Sequence, residues 1–187
     1  MKLNIAIKTI ILLIYLAFNL KAQVSNFYIT ESRLLLISED KKGKPFDANT
    51  EFSYMTLNLS NGDFILNAEL STLKTGNLKT DSIIRLQGTQ PLIFKGNLGG
   101  NLYLFTQHLN DEKDYKMEGQ LTINNITIPC IAQYDPLNFS DKNDSKNYRI
   151  DFKLIVDPTK ISIFGIENNL NNQLIFEIIS GKLNTTQ

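Results

Sequence analysis

The sequence predicts an all-β protein, folded as a single antiparallel β-barrel of about eight strands with one long connection that has room for a short helix. Three observations predict it: apolar residues recur at every second position through most of the chain, Asn-Gly and Asn-Asn pairs join successive alternating stretches, and only one connection is long enough and irregular enough to hold a helix. A parallel sheet with crossover helices has no support in that pattern.

Taken in order, residues 27–37 read as a first strand. Residues 50–59 place Met55, Leu57 and Leu59 on one face, Asn61-Gly62 interrupts, and Phe64, Leu66, Ala68 and Leu70 resume the two-residue period. Asn-Gly accepts the positive φ values of a two-residue type I′ turn, so this is a predicted hairpin. Residues 71–90 form the long connection, and 92–98 and 101–109 read as further strands. A second hairpin spans 115–134: Met117, Leu121 and Ile123 alternate with Glu118, Gln120 and Thr122, Asn124-Asn125 turns the chain, and Ile126, Ile128, Cys130 and Ala132 continue the inner face. Pro129 has no amide hydrogen, so it belongs where the ladder is broken or at an edge. Tyr148, Ile150, Phe152, Leu154 and Val156 alternate with Asn147, Arg149, Asp151 and Lys153, and 173–179 closes the set.

The composition suits one domain. The chain has 187 residues, 42% of them hydrophobic and 20% charged, with 19 basic and 19 acidic side chains. That is too apolar and too evenly charged for disorder, and a chain of this size buries roughly 70% of its unfolded surface without needing disulfides or metal. The N-terminus reads as a secretory signal peptide over residues 1–22, followed by the barrel domain over 23–187. Lys2 and Lys8 precede the apolar stretch 9–20, and Ala22 follows where cleavage is expected. The stretch is shorter than the roughly 20 residues of a spanning helix, so no stable membrane span is expected after cleavage. Cleavage leaves 16 basic against 19 acidic side chains, a net charge of −3. With no basic stripe, nucleic acid is not an expected partner.

Charged residues on the second face of the strands, Glu118, Arg149, Asp151, Lys153 and Glu177, argue against a lipid-facing outer surface. The apolar face then points inward. A barrel of about eight strands is either filled by its side chains or holds one small ligand, as lipocalins do.

The segment Tyr115-Lys-Met-Glu-Gly119-Gln-Leu121-Thr122-Ile123-Asn-Asn-Ile126-Thr127-Ile-Pro129 resembles the G-x-L-T-I-x-G-x-T-x-P hairpin of the YceI-like, polyisoprenoid-binding family, with Asn125 where the family usually has Gly. Pro91-Leu-Ile-Phe94-Lys-Gly96, Asp151-Phe152 and Ile161-Ser-Ile-Phe164-Gly165-Ile166 are similar to further family elements in the same order, so that the resemblance covers about residues 26–180. It implies an elongated, lipocalin-like antiparallel barrel enclosing a long apolar tunnel, with no established catalytic chemistry.

The inventory of reactive side chains points the same way. His108 is the single histidine and Cys130 the single cysteine, so a multi-histidine metal site and an internal disulfide are both excluded. His108 reads as a solvated turn residue and Cys130 as a small buried hydrophobe. The acidic clusters at 111–114 and 141–144 read as solvated loops, and no cofactor is implied.

The leading expectation is a secreted or periplasmic protein that binds a long apolar lipid of isoprenoid type, with ligand-binding residues drawn from Met55, Leu57, Leu66, Phe94, Leu121, Ile123, Ile128, Phe152, Leu154 and Phe176. The alternative is a non-enzymatic structural or protein-interaction module on the cell envelope, in which the same residues are a filled core. An enzyme ranks last, since it would need His108 or a carboxylate pair to converge in a pocket. Periodicity alone leaves a hollow and a packed barrel open, and nothing in the sequence sets the oligomeric state.

Overall fold

Strand β1 (Asn26–Asp40) begins a computed structural model that describes residues 26–58, 61–99, 115–136, 148–161 and 170–185. It is followed by β2 (Pro45–Asn58), β3 (Asp63–Glu69), helix α1 (Leu78–Leu86), β4 (Pro91–Asn97), β5 (Tyr115–Ile123), β6 (Ile126–Pro136), β7 (Tyr148–Val156) and β8 (Leu170–Thr185). Each strand pairs antiparallel with the next in sequence, and β8 returns to pair with β1, so the sheet is a closed barrel. The all-β class and the antiparallel barrel are thus as expected, with the short helix in the predicted connection. The expected signal segment 1–22, the strand 101–109, His108 and both acidic clusters lie outside the described residues.

The two-residue period does the work of orienting the wall. On β3 and β4 the pairs Leu66↔Phe94 and Ala68↔Leu92 lie inside, while Lys95, opposite Ile65, is exposed. One irregularity changes the phase. Leu34 pairs with Thr50 but Ser32 pairs with Ser53, so β2 carries an extra residue and both Glu51 and Phe52 face solvent. This bulge is why Ala48 and Thr50 point inward at even positions and Ser53, Met55 and Leu57 at odd ones. Ser32 and Ser53 are buried beside it: Ser32 Oγ donates to Ser53 O at 2.7 Å and accepts from Ser53 Oγ at 2.5 Å, so that both hydroxyls are satisfied.

The two predicted hairpins form, but the type I′ turn falls on the second and not on the first. Asn124 and Asn125 have φ of 50° and 64°, and Ile123 pairs with Ile126, which is the two-residue turn with both central residues left-handed. At Asn61-Gly62 only Gly62 has positive φ. The chain there closes a wider loop in which Gly62 N donates to Asn58 O at 2.8 Å and Asn61 Oδ1 accepts from Asp63 N. The type I′ expectation for Asn61-Gly62 is therefore corrected: the longer loop lets Asn61 keep an ordinary φ, using its side chain as the turn acceptor. Ile126 is corrected as well: it continues the alternation but is 40% exposed, standing at the hairpin end of β6 beside the β3–β4 connection rather than buried with the inner face.

The connection between β3 and β4 closes one end of the barrel. A short 3-10 turn, Leu70–Thr72, then Leu73 and Ile84 of α1 insert into the core. Backbone bonds in both directions between Asn49 and Lys74 fix this segment on the side of β2 beyond the end of β3. Asn77 caps α1, its Oδ1 accepting from Lys79 N and Thr80 N, and Asp81 accepts from both the amide and the hydroxyl of Thr75. Those Thr75 bonds, the hydroxyl first, hold the Asp81 carboxyl below its usual range.

Glu69 joins the two feet of this connection. Its Oε1 accepts from Ser71 N, Ser71 Oγ and Gln90 N, and Leu70 N donates to Gln90 O. Partial burial pushes the Glu69 pKa up, but the Ser71 hydroxyl and the Gln90 and Ser71 amides outweigh it and hold the carboxyl below its ordinary value.

Two expected outcomes follow from these contacts. Replacing Asn125 with Gly removes the cost of a left-handed non-glycine residue and is expected to raise stability by about 0.5–1 kcal/mol, read from chemical denaturation midpoints. Glu69→Gln is expected to lower stability by about 1 kcal/mol at neutral pH, after discounting for the solvent exposure of the group. Because the folded pKa is depressed, the carboxylate's contribution is complete above the unfolded value of about 4.3 and is lost as pH falls through the folded one. The gap between wild type and variant should thus close in acid; a gap independent of pH would refute the clasp.

Candidate functional site

The barrel interior is the candidate site. Of the ten residues predicted to line it, Met55, Leu57, Leu66, Phe94, Leu121, Ile123, Phe152, Leu154 and Phe176 are all 2% exposed or less and belong to one core cluster. Ile128 is half-buried and packs against that cluster near the hairpin end of β6. Leu34, Leu36, Phe64, Met117 and Ile178 share the interior and were absent from the predicted set. The signal for Phe64 and Met117 was the same alternation that identified Leu66 and Leu121. No carboxylate, lysine or arginine is buried among the described residues, so this interior offers apolar contact and shape rather than charge.

Aromatic rings organise its centre. Phe64 on β3 and Phe152 on β7 come from walls that stand opposite each other in the eight-strand order, and their rings stack at 4.8 Å. Phe94 lies against both, at 5.3 Å from Phe152 and 6.3 Å from Phe64. The three rings therefore bridge the lumen at their level.

A glycine pair makes room for them. Gly96 on β4 is paired with Gly119 on β5, and the Phe94 ring lies over both. A Cβ on Gly119 would collide with the Lys95 carbonyl oxygen and stand 2.5 Å from Phe94 Cζ; one on Gly96 would stand 2.8 Å from Met117 Sδ and 2.9 Å from Phe94 Cε1. Gly119, read from the sequence only as part of a motif, thus has a steric reason.

The wall has one incomplete seam. The β6–β7 ladder stops at Ala132↔Leu154, leaving the part of β6 that contains Pro129 unpaired on that side, as its missing amide hydrogen predicts. A depression of about 420 Å³ opens there, lined by inward-facing Ile128, Cys130 and Val156 together with outward-facing Ile131, Ile155 and Lys116. The Cys130 thiol donates to the Ile155 carbonyl at 3.9 Å, and burial pushes its pKa up. Cys130 is thereby a protonated, buried thiol, as its apolar sequence context suggests.

Among the described residues no group of three or more His, Cys, Asp or Glu side chains is placed to hold a metal ion, and no helix is long and apolar enough to cross a membrane.

No protein-family model and no curated protein matches the chain. In fold it is similar to a solved polyisoprenoid-binding domain from Saccharophagus degradans implicated in plant cell wall breakdown, with a TM-score of 0.64 over 88% of this chain and 100% of that one, at 10% sequence identity. The closed antiparallel barrel implied by the YceI-like resemblance is therefore the fold of this chain.

Gly119→Ala is expected to destabilise by about 2–3 kcal/mol, because the obstructing Lys95 carbonyl is backbone and cannot move aside. Gly96→Ala should cost less, since the flexible Met117 side chain is its main obstacle. Thermal unfolding of the two variants tests the order.

Proposed function

We propose that this chain is an exported binding protein that holds a long apolar lipid of isoprenoid type inside its barrel. The observation that carries the reading is an interior lined mainly by apolar side chains and free of buried charge among the described residues, in a fold shared with a domain described as polyisoprenoid-binding. Transfer of an apolar chain into such an interior gains roughly 25 cal/mol per Å² removed from water, without a charged partner. The residues assigned to the ligand are Met55, Leu57, Leu66, Phe94, Leu121, Ile123, Ile128, Phe152, Leu154 and Phe176, to which the ring contacts add Phe64. Export rests on residues 1–22 acting as a cleaved signal peptide, with periplasm or extracellular medium as the destination. The protein carries out binding without catalysis in this reading, and needs no cofactor.

A second reading has its own support. The Phe64–Phe152 stack across the lumen is what a filled core looks like, and a filled barrel would serve as a structural or protein-interaction module on the cell envelope.

Native mass spectrometry of the protein, purified without detergent from its exported fraction and then incubated with polyprenols of several lengths, separates the two. A stoichiometric apolar adduct supports the carrier; an unchanged apo mass at every length supports the filled module. Phe64→Ala sharpens the distinction. It is expected to destabilise the empty protein by about 3–5 kcal/mol. A ligand that runs through the lumen should restore more stability to the variant than to wild type, because it fills the vacated space, and thermal shifts with and without polyprenol read this directly.

A further inference from the structure

Helix α1 turns its apolar side outward. Leu78, Ile83 and Leu86 are 81%, 42% and 86% exposed, while Ile84 is the residue that enters the core. At about 100° per residue, Leu78, Ser82, Leu86, Lys79 and Ile83 fall within one arc of about 140°, opposite the side that Ile84 occupies. A helix on a barrel normally hides its apolar stripe, so three large aliphatic side chains on the solvent side of nine residues form a patch that calls for an occupant.

The charges around the patch select that occupant. Lys74, Lys79 and Arg85 are exposed around it against a single acid in residues 70–90, Asp81, which accepts two hydrogen bonds from Thr75 and offsets part of the charge of nearby Arg85 and Lys74. The local excess is cationic although the whole chain is balanced at 19 of each sign. A second copy of the chain would bring like charges together across a two-fold axis, which disfavours self-association through this face. An anionic phospholipid surface satisfies both features, taking the leucines into the boundary between headgroups and acyl chains and the cations onto the phosphates. The Asn77 cap, the Thr75–Asp81 bonds and the Asn49–Lys74 bridge already hold the segment in place, so docking orders nothing new.

We propose that the exposed side of α1 is a docking face for anionic phospholipid bilayers, at the barrel end closed by Leu70, Leu73 and Ile84. The proposal is independent of any ligand inside the barrel.

The test is co-sedimentation of the protein, as exported by its host, with vesicles of phosphatidylglycerol and phosphatidylcholine or of phosphatidylcholine alone. Binding to the anionic vesicles is expected to exceed binding to the neutral ones. The double variant Leu78→Ser/Leu86→Ser should lower the bound-to-free ratio about tenfold or more, and Lys79→Glu/Arg85→Glu should abolish the preference for anionic lipid. All four side chains are exposed, so circular dichroism should match wild type, with only a small drop in melting temperature where Arg85→Glu meets Asp81, and any contribution from the N-terminal residues cancels in the comparison. The chain contains no tryptophan, so Leu86→Trp supplies a single reporter whose emission should shift to the blue when anionic vesicles are added. Equal binding by wild type and the leucine variant, or no blue shift, overturns the proposal. So does concentration-dependent self-association that the same leucine substitutions abolish, which would make a second copy the occupant.

Discussion

Closure of the sheet on itself governs everything else in this molecule. Once β8 pairs with β1, every strand has a partner on each side, and alternation along each strand divides its side chains into an inner and an outer set. The inner set must fill or line a confined space and the outer set must meet water. A single residue inserted out of phase would exchange the two, which is why the bulge at Glu51 and Phe52 matters: it restores the phase in the middle of β2 by sending two successive residues outward. The buried Ser32–Ser53 pair beside it keeps the disturbed polar groups satisfied.

The interior is shaped by size differences as much as by hydrophobicity. Phe64, Phe94 and Phe152 crowd one level, and the adjacent Gly96–Gly119 pair supplies the compensating absence of side chain. The glycine in the β5–β6 hairpin motif is thus explained by packing and the Asn124-Asn125 pair by backbone conformation, two different reasons within one short segment. The two ends of the β6–β7 seam contrast similarly. Where both strands have free amides the ladder forms; around Pro129 it does not, and Cys130 and Ile155 meet through sulfur and carbonyl instead.

Most of the wall was legible in the sequence because a two-residue period is a local property. The spacing of Met117, Leu121 and Ile123, or of Phe152, Leu154 and Val156, identifies their face whatever the strand pairs with, and all six are buried. Turn type was less legible. Asn-Gly is the stronger local signal for a type I′ turn, yet the type I′ geometry falls on Asn124-Asn125, since loop length is set by the registers of the strands on either side and not by the dipeptide. Ile126 shows the same limit, continuing the alternation correctly but reaching the end of the wall, where no neighbour covers it.

By itself, then, the amino-acid sequence determined the all-β class, the strand faces and the apolar character of the interior, because each follows from residue type and spacing within a few positions. Only the tertiary structure decided which rings meet across the lumen, that Gly119 faces a carbonyl of the neighbouring strand, where the β6–β7 ladder stops and that α1 presents its leucines to solvent. Those features depend on strand register and on the curvature of a closed sheet. They arise from contacts between segments far apart in the chain, and no local period encodes such a distance.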